Sequence, residues 1–169
     1  MYFFTADEHF GHTNMLKYAD RPFDSIEEMD AEIIKRFNSV VSKDDTTIHA
    51  GDFTLGNKKV AYTYHSQLNG KHIYLKGSHD RWMQKGQWHE IWQKTIEGQF
   101  VVVCHYSMCT WHRSHYNSWQ LYGHSHGKLA PQGKQHDIGV DTNDFYPYSF
   151  DDICVIMQSR PDNFNLVKR

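Results

Sequence analysis

Carboxylates and imidazoles recur along this chain in short clusters: Asp7 and His9, then Asp52, His79-Asp80, His105, and finally His124 and His126. Groups of this kind could do two sorts of chemistry. Together they could hold metal ions, because mixed oxygen and nitrogen donors suit manganese, iron or zinc, whereas all-oxygen sets suit magnesium or calcium. Singly, an imidazole could move a proton near neutral pH. Thirteen of the 169 residues are histidine, and any one of them alone reads first as a hydrogen-bonded structural residue. Spacing separates the cases. Asp7 and His9 stand two apart, as do His124 and His126, so in extended backbone each pair projects to one side. His49, His65, His72, His89 and His136 have no such company and read as structural.

Each cluster follows a stretch that reads as a strand. Met1–Thr5 precedes Asp7, Thr46–Ala50 precedes Asp52, and His72–Leu75 precedes Ser78-His79-Asp80. Between them, Ser25–Val41 carries Ile26, Met29, Ile33, Phe37 and Val40 at helical spacing behind a Ser25/Glu28 capping pair. Asn57–Leu68 repeats the pattern, and a short helix is expected after Thr13. Strand, helix, strand, helix, strand predicts parallel pairing with crossover helices. Trp92–Glu97 and Gln99–Cys104 flank Gly98 as a hairpin, and Gln120–Tyr122 and Asp137–Val140 read as short strands. Ser107–Ser118 reads as a long loop, and Ser149–Met157 as a final helix capped by Ser149. The carboxyl ends of parallel strands share one edge, where such sheets bind ligands. Five loops delivering donors to that edge would make a metal centre, and a carboxylate such as Asp52 can bridge two cations.

Composition bounds the alternatives. Hydrophobic residues make up 39%, charged residues 22% and aromatic residues 15%, which predicts a folded domain rather than disorder. A net charge of −2 gives no general attraction to nucleic acid or an anionic membrane. No run approaches the roughly 18 apolar residues of a membrane span, and the start lacks a signal-peptide pattern. Three cysteines without CxxC spacing argue against a cysteine-based zinc site and fit a reducing, cytoplasmic setting. No repeat or linker divides residues 1–169, so a single domain is expected.

In order, the segments DEH (Asp7–His9), Gly51-Asp52, GSHD (Gly77–Asp80), His105 and GHSH (Gly123–His126) resemble the five ordered motifs of the calcineurin-like metallophosphoesterases. DEHFGH and the later GVDTNDFYPYSF resemble the small single-domain members from bacteria and phages. The resemblance runs from Tyr2 to about Asp141. It implies an α/β fold, a two-sheet β-sandwich flanked by helices. It implies two divalent or trivalent transition metal ions, manganese first, with iron, zinc, nickel or cobalt as alternatives. Asp7, His9 and His126 would hold one metal, His105 and His124 the other, with Asp52 bridging. His79 would stand at the scissile phosphate as charge stabiliser or proton donor, and Asp80 would orient it. The implied reaction is phosphate-ester hydrolysis by a bridging hydroxide attacking phosphorus in line.

The sequence departs from that family at Ser78, where an asparagine side chain usually binds the second metal. A serine hydroxyl is a poorer and shorter donor. A natural variant with a weaker second metal, an introduced substitution and a one-metal enzyme all fit, and so does a catalytically weakened metal- or phosphate-binding module. Other metallohydrolase patterns, an early His-x-His or a contiguous HxHxDH, are absent. No arginine follows Cys104 or Cys109 at phosphate-loop spacing, which argues against a cysteine-nucleophile phosphatase. His12, at an expected helix start, and Arg113, in the loop after His105, are candidate contacts for substrate phosphate. Trp111 and Tyr116 are candidate stacking partners for a base. The expected substrate is a small phosphodiester or nucleotide-like ester rather than a monoester, and the oligomeric state is not legible.

Overall fold

Phe3 and Phe4 are adjacent and both buried, yet they serve different cores. Strand geometry sends successive side chains to opposite faces, so the first strand must be covered on both sides, which explains its continuous apolar run. The computed structural model describes residues 1–84 and 88–167, and its two sheets account for that double burial. In the first sheet, β1 (Tyr2–Thr5), β2 (Thr46–His49) and β3 (Lys71–Tyr74) run parallel, in the order β3-β2-β1, and β8 (Tyr148–Ser149) closes the far edge antiparallel to β1. In the second, β4 (Ile91–Ile96) and β5 (Gln99–Cys104) form the expected hairpin around Gly98. β5, β6 (Trp119–Tyr122) and β7 (Gln135–Asp137) run parallel, in the order β4-β5-β6-β7.

Phe4, Ile48 and Leu75 from the first sheet meet Val101, Val103 and Leu121 from the second, and α4 (Phe150–Ser159) adds Ile153 and Met157. Phe3 instead packs outward against Met29, Ile33 and Phe37 of α2 (Ile26–Val40) and Ala61 of α3 (Lys58–His65). α2 begins as the sequence predicts: the Ser25 hydroxyl accepts the Glu28 N–H at 3.1 Å. The Glu28 carboxylate reaches back one residue further than a capping box requires, to the Asp24 N–H. α4 has the reciprocal box, Ser149 with Asp152. The short helix after Thr13 is α1 (Met15–Tyr18).

The two-sheet α/β sandwich is therefore the architecture observed. Differences are local. The expected strand Asp137–Val140 ends at Asp137, because Gly139 and Val140 enter a 3-10 turn over Val140–Thr142. The loop Ser107–Ser118 contains another such turn at Ser114–Tyr116. Among the described residues no helix is long and apolar enough to cross a membrane.

At the ends of β1 and β7 the sheets touch: Ala6 and Gly139 form a parallel bridge, with the Val140 N–H donating to the Ala6 carbonyl at 3.0 Å. That seam brings the carboxyl ends of β1, β2 and β3 against those of β5, β6 and β7.

Candidate metal centre

Two triads of donor atoms lie at the seam. Asp7, His9 and His126 offer ligand atoms that all fall within 4.8 Å of one another, and Asp52, His105 and His124 form a second such group. Asp52 stands between them. Its Oδ2 is 3.8 Å from His9 Nε2 on one side and 3.3 Å from His105 Nε2 on the other. His79 Nε2 lies 3.9 Å from the same oxygen, on a side chain 41% exposed at the mouth of the site.

Local backbone explains how six donors fit so small a volume. Asp7, His9, Asp52, His124 and His126 all have positive φ, between 47° and 68°. L-residues rarely adopt this conformation, although Asp and His tolerate it better than most. Each instance costs on the order of 1–3 kcal/mol and persists only where its surroundings impose it. Five of the six triad residues are in this state, which concentrates backbone strain at one point of the fold. The motif glycines have a related cause. Gly51 has φ +100°, and a Cβ there would stand 2.7 Å from His105 Nδ1. At Gly123 a Cβ would lie 2.8 Å from Asp7 Oδ2.

The ring orientations are fixed from behind. His105 Nδ1 faces the Ala50 carbonyl at 3.0 Å, so it carries the proton and leaves Nε2 as a lone pair toward Asp52. His126 Nδ1 is held by Asp141 at 2.7 Å, which likewise frees Nε2. Asp141 in turn takes two bonds from the buried Arg21 guanidinium, 2.8 and 2.9 Å, and Arg21 also donates to the carbonyls of Asp7 (2.6 Å) and Glu8 (2.9 Å). Asp137 collects Ser125 Oγ and the N–H groups of Gly127 and Gly139, which fixes the loop that carries His124 and His126.

The donor set fits transition-metal ions. Asp7 Oδ1, both His9 nitrogens and His105 Nε2 are buried with no hydrogen-bond partner. Orphans of this kind cost about 1–3 kcal/mol each, and cations would satisfy Asp7 Oδ1, one His9 nitrogen and His105 Nε2. Charge points the same way. Burial, with Asp137 and Asp52 nearby, drives the Asp7 pKa well above the usual carboxylate range. Burial lowers His9 to about 3, so it stays a neutral donor. At Asp52 burial acts upward, and the bond from the His79 N–H acts downward. His124 is lowered mainly by burial.

The structure places the other predicted residues less uniformly. Ser78 Oγ reaches Asp52 Oδ2 at 3.1 Å. His12 stands beside the site, its ring 5.5 Å from that of His9 and 5.9 Å from that of His79. The backbone amides expected to receive an anion there are already used: Gly11 N–H donates to Asp30 and His12 N–H to the His9 carbonyl. Asp80 requires correction. Its buried carboxylate makes no bond to the His79 ring. It accepts the N–H groups of Asp52 (2.7 Å), Gly77 (2.8 Å) and Phe53 (3.0 Å) and the Trp82 indole (3.0 Å), locking the loop after β3 to the loop after β2.

Arg113 also requires correction. Because β6 runs parallel to β5, the chain after His105 must return to the opposite end of the sheet, and Arg113 lies there over the Phe100 ring, 4.9 Å from its centroid. Tyr116 shares that end, and Trp111 is buried with its indole donating to the Ser118 carbonyl. None of the three joins the cluster. Arg21, Asp137 and Asp141 are the residues the sequence did not single out. Asp141 at least lies inside the GVDTNDFYPYSF segment.

No family model matches the sequence. The chain is 28% identical over 162 residues to an uncharacterized protein, MJ1445, of Methanocaldococcus jannaschii, which covers 90% of this chain and 89% of that one. It is 36% identical over 80 residues to the Gene 66 protein of Mycobacterium phage L5, 46% of this chain and 38% of the phage protein. Among solved structures, a protein of unknown function from Aquifex aeolicus, AQ665, aligns with a TM-score of 0.71 at 20% identity, over 92% of this chain and 98% of that one. Vps29 from Entamoeba histolytica aligns with a TM-score of 0.50 at 15% identity, over 95% and 80%. These similarities show a shared fold.

Proposed function

We propose that this chain is a metal-dependent phosphoester hydrolase of calcineurin-like type, acting on phosphodiesters or nucleotide-like esters. The observation that carries the reading is the pair of donor triads meeting at Asp52, with buried donors that nothing else satisfies. Asp7, His9 and His126 would hold one cation, His105 and His124 the other, and Asp52 would serve both; manganese suits the donor set, with iron, zinc, nickel or cobalt as alternatives. Two cations so held would supply a nucleophilic water near neutral pH and neutralise charge on phosphoryl oxygens.

The chain's own residues do the rest. His79, exposed at the mouth and tethered through its backbone N–H to Asp52 Oδ1 at 2.8 Å, gives a proton from Nε2 to the departing oxygen. That help matters most for an alkoxide leaving group, so it favours alkyl esters, diesters included, over aryl monoesters. Asp80 holds the loop that carries His79, and Asp141 with Arg21 holds His126. His12 lines the same mouth.

A weaker form of the reading keeps one specific support. The Ser78 hydroxyl is spent on Asp52, where a longer amide would contribute a donor of its own, so the second cation is held less tightly and turnover is slow. Assay of a chromogenic phosphodiester and the matching monoester with manganese tests both forms. Turnover lost in His79→Ala, with metal content unchanged, supports the hydrolase. Metal binding without turnover in the unaltered protein supports a metal- or phosphate-binding module instead.

A further inference from the structure

An open recess of about 400 Å³ adjoins the second donor triad, lined by Lys76, Ser78, Glu90, Ile91, Tyr106 and Met108 together with His105 itself. Its size falls within the range of small-molecule sites, about 300–1,000 Å³. At roughly 30 Å³ per water, it is several times larger than a phosphoryl group needs. Something bulkier than the reacting phosphate fits there.

The walls define that group. Tyr106 is 50% exposed and Ile91 48%, so two sizeable apolar side chains stay open to solvent at the edge of a polar site. Tyr106 is nevertheless held firmly. Its carbonyl accepts the Cys104 thiol at 2.8 Å and the Gln120 amide at 2.9 Å. Its ring meets the rings of His105 and His124 edge-on at 4.7 and 4.8 Å. A fixed, half-open aromatic ring is a stacking platform that loses little entropy on binding.

Charge at the recess is balanced. One ammonium, Lys76, sits 4.1 Å from the Trp88 ring centroid, and one carboxylate, Glu90, shares the lining. A second phosphoryl group would gain nothing from that balance. A flat heteroaromatic ring with both donors and acceptors would find a platform, an apolar wall and one polar partner of each kind.

We infer that this recess is the specificity subsite of the reaction proposed above and takes the nucleobase of a nucleotide-like ester, stacked on Tyr106 against Ile91. The inference rests on that functional reading for the position of the phosphate, but its test can fail separately. Calorimetric titration of the manganese-loaded protein with adenosine 5′-monophosphate and with methyl phosphate compares ligands that share a phosphoryl group and differ in the ring.

Adenosine 5′-monophosphate should bind at least about tenfold more tightly, as one base–aromatic stack contributes. Tyr106→Ala, and independently Ile91→Trp, which fills the recess, should each remove most of that advantage, read as the ratio of the two affinities in the same variant. Tyr106→Phe should keep it. Equal affinity for the two ligands, or an advantage that survives both variants, overturns the inference and leaves the hydrolase reading standing. A ring-dependent advantage in a protein that turns over no ester keeps the subsite and overturns the hydrolase. Failure of both ligands to bind overturns the inference.

Discussion

Replacing Arg21 by methionine should be among the most damaging changes this fold can suffer. The side chain is wholly removed from solvent. Its guanidinium closes two bonds to Asp141, at 2.8 and 2.9 Å, and one each to the carbonyls of Asp7 and Glu8, at 2.6 and 2.9 Å. Methionine fills similar volume and offers no donor, so Asp141 becomes a buried carboxylate supported only by His126. Removing one member of a buried pair costs about 3–5 kcal/mol, and each abandoned carbonyl adds about 1–3. Water entry recovers part of this, so about 4 kcal/mol is the expected loss. At about 2–4 °C per kcal/mol for a chain of this size, that is a fall of roughly 10 °C in Tm. Urea titration of the metal-free protein measures it. Asp141→Leu should also destabilise, and the double variant should lose at least about 1.5 kcal/mol less than the sum of the singles. A loss under about 1 kcal/mol for Arg21→Met, or additivity within about 0.5 kcal/mol, would refute the reasoning.

Ser78→Asn should raise affinity for the second cation and leave the first unchanged, read by calorimetric titration with manganese; equal second-site affinities in both proteins would remove the explanation given for Ser78. Gly123→Ala places a methyl 2.6 Å from the Ala6 Cβ and 2.8 Å from Asp7 Oδ2. It should cost about 1–3 kcal/mol and weaken metal binding, and an unchanged melting curve would contradict the close approach. His136 lies against the Tyr148 ring and 3.3 Å from Arg160; burial, then the Arg160 charge, lowers its pKa to about 4. The unfolded chain binds that proton near 6.5, so folded stability from this group is lost as pH falls from about 6.5 to 4, by at most about 1.4 kcal/mol per pH unit. His136→Phe should flatten the stability profile in that window, and identical slopes would count against it.

What could be read from sequence was whatever depends on local pattern. The Ile26–Phe37 periodicity and the Ser25 cap specify α2 without reference to anything distant. The runs before Asp7, Asp52 and Ser78 specify strands, and their alternation with helices specifies parallel pairing, which alone brings those loops to one edge. What escaped depends on long-range partners or on direction. β8 is two residues long and exists because Phe3 and Phe4 offer it an edge. Asp80 reads from sequence as the partner of its neighbour His79, but two of its four partners are backbone N–H groups of a loop 27 and 28 residues away. Arg21 and Asp141 are 120 residues apart, and Arg21 carries no local mark. Arg113 follows a donor in sequence yet lies at the other end of the sheet, because a parallel crossover has to go back before it can go forward.

The central claim is that two cations share Asp52 at the seam between the sheets. Anomalous diffraction from crystals grown with manganese tests it most directly. Two anomalous peaks are expected, one among Asp7, His9 and His126 and one among Asp52, His105 and His124, with an Asp52 oxygen in contact with both. Peaks elsewhere in the molecule, or none at the seam under saturating manganese, would contradict the account.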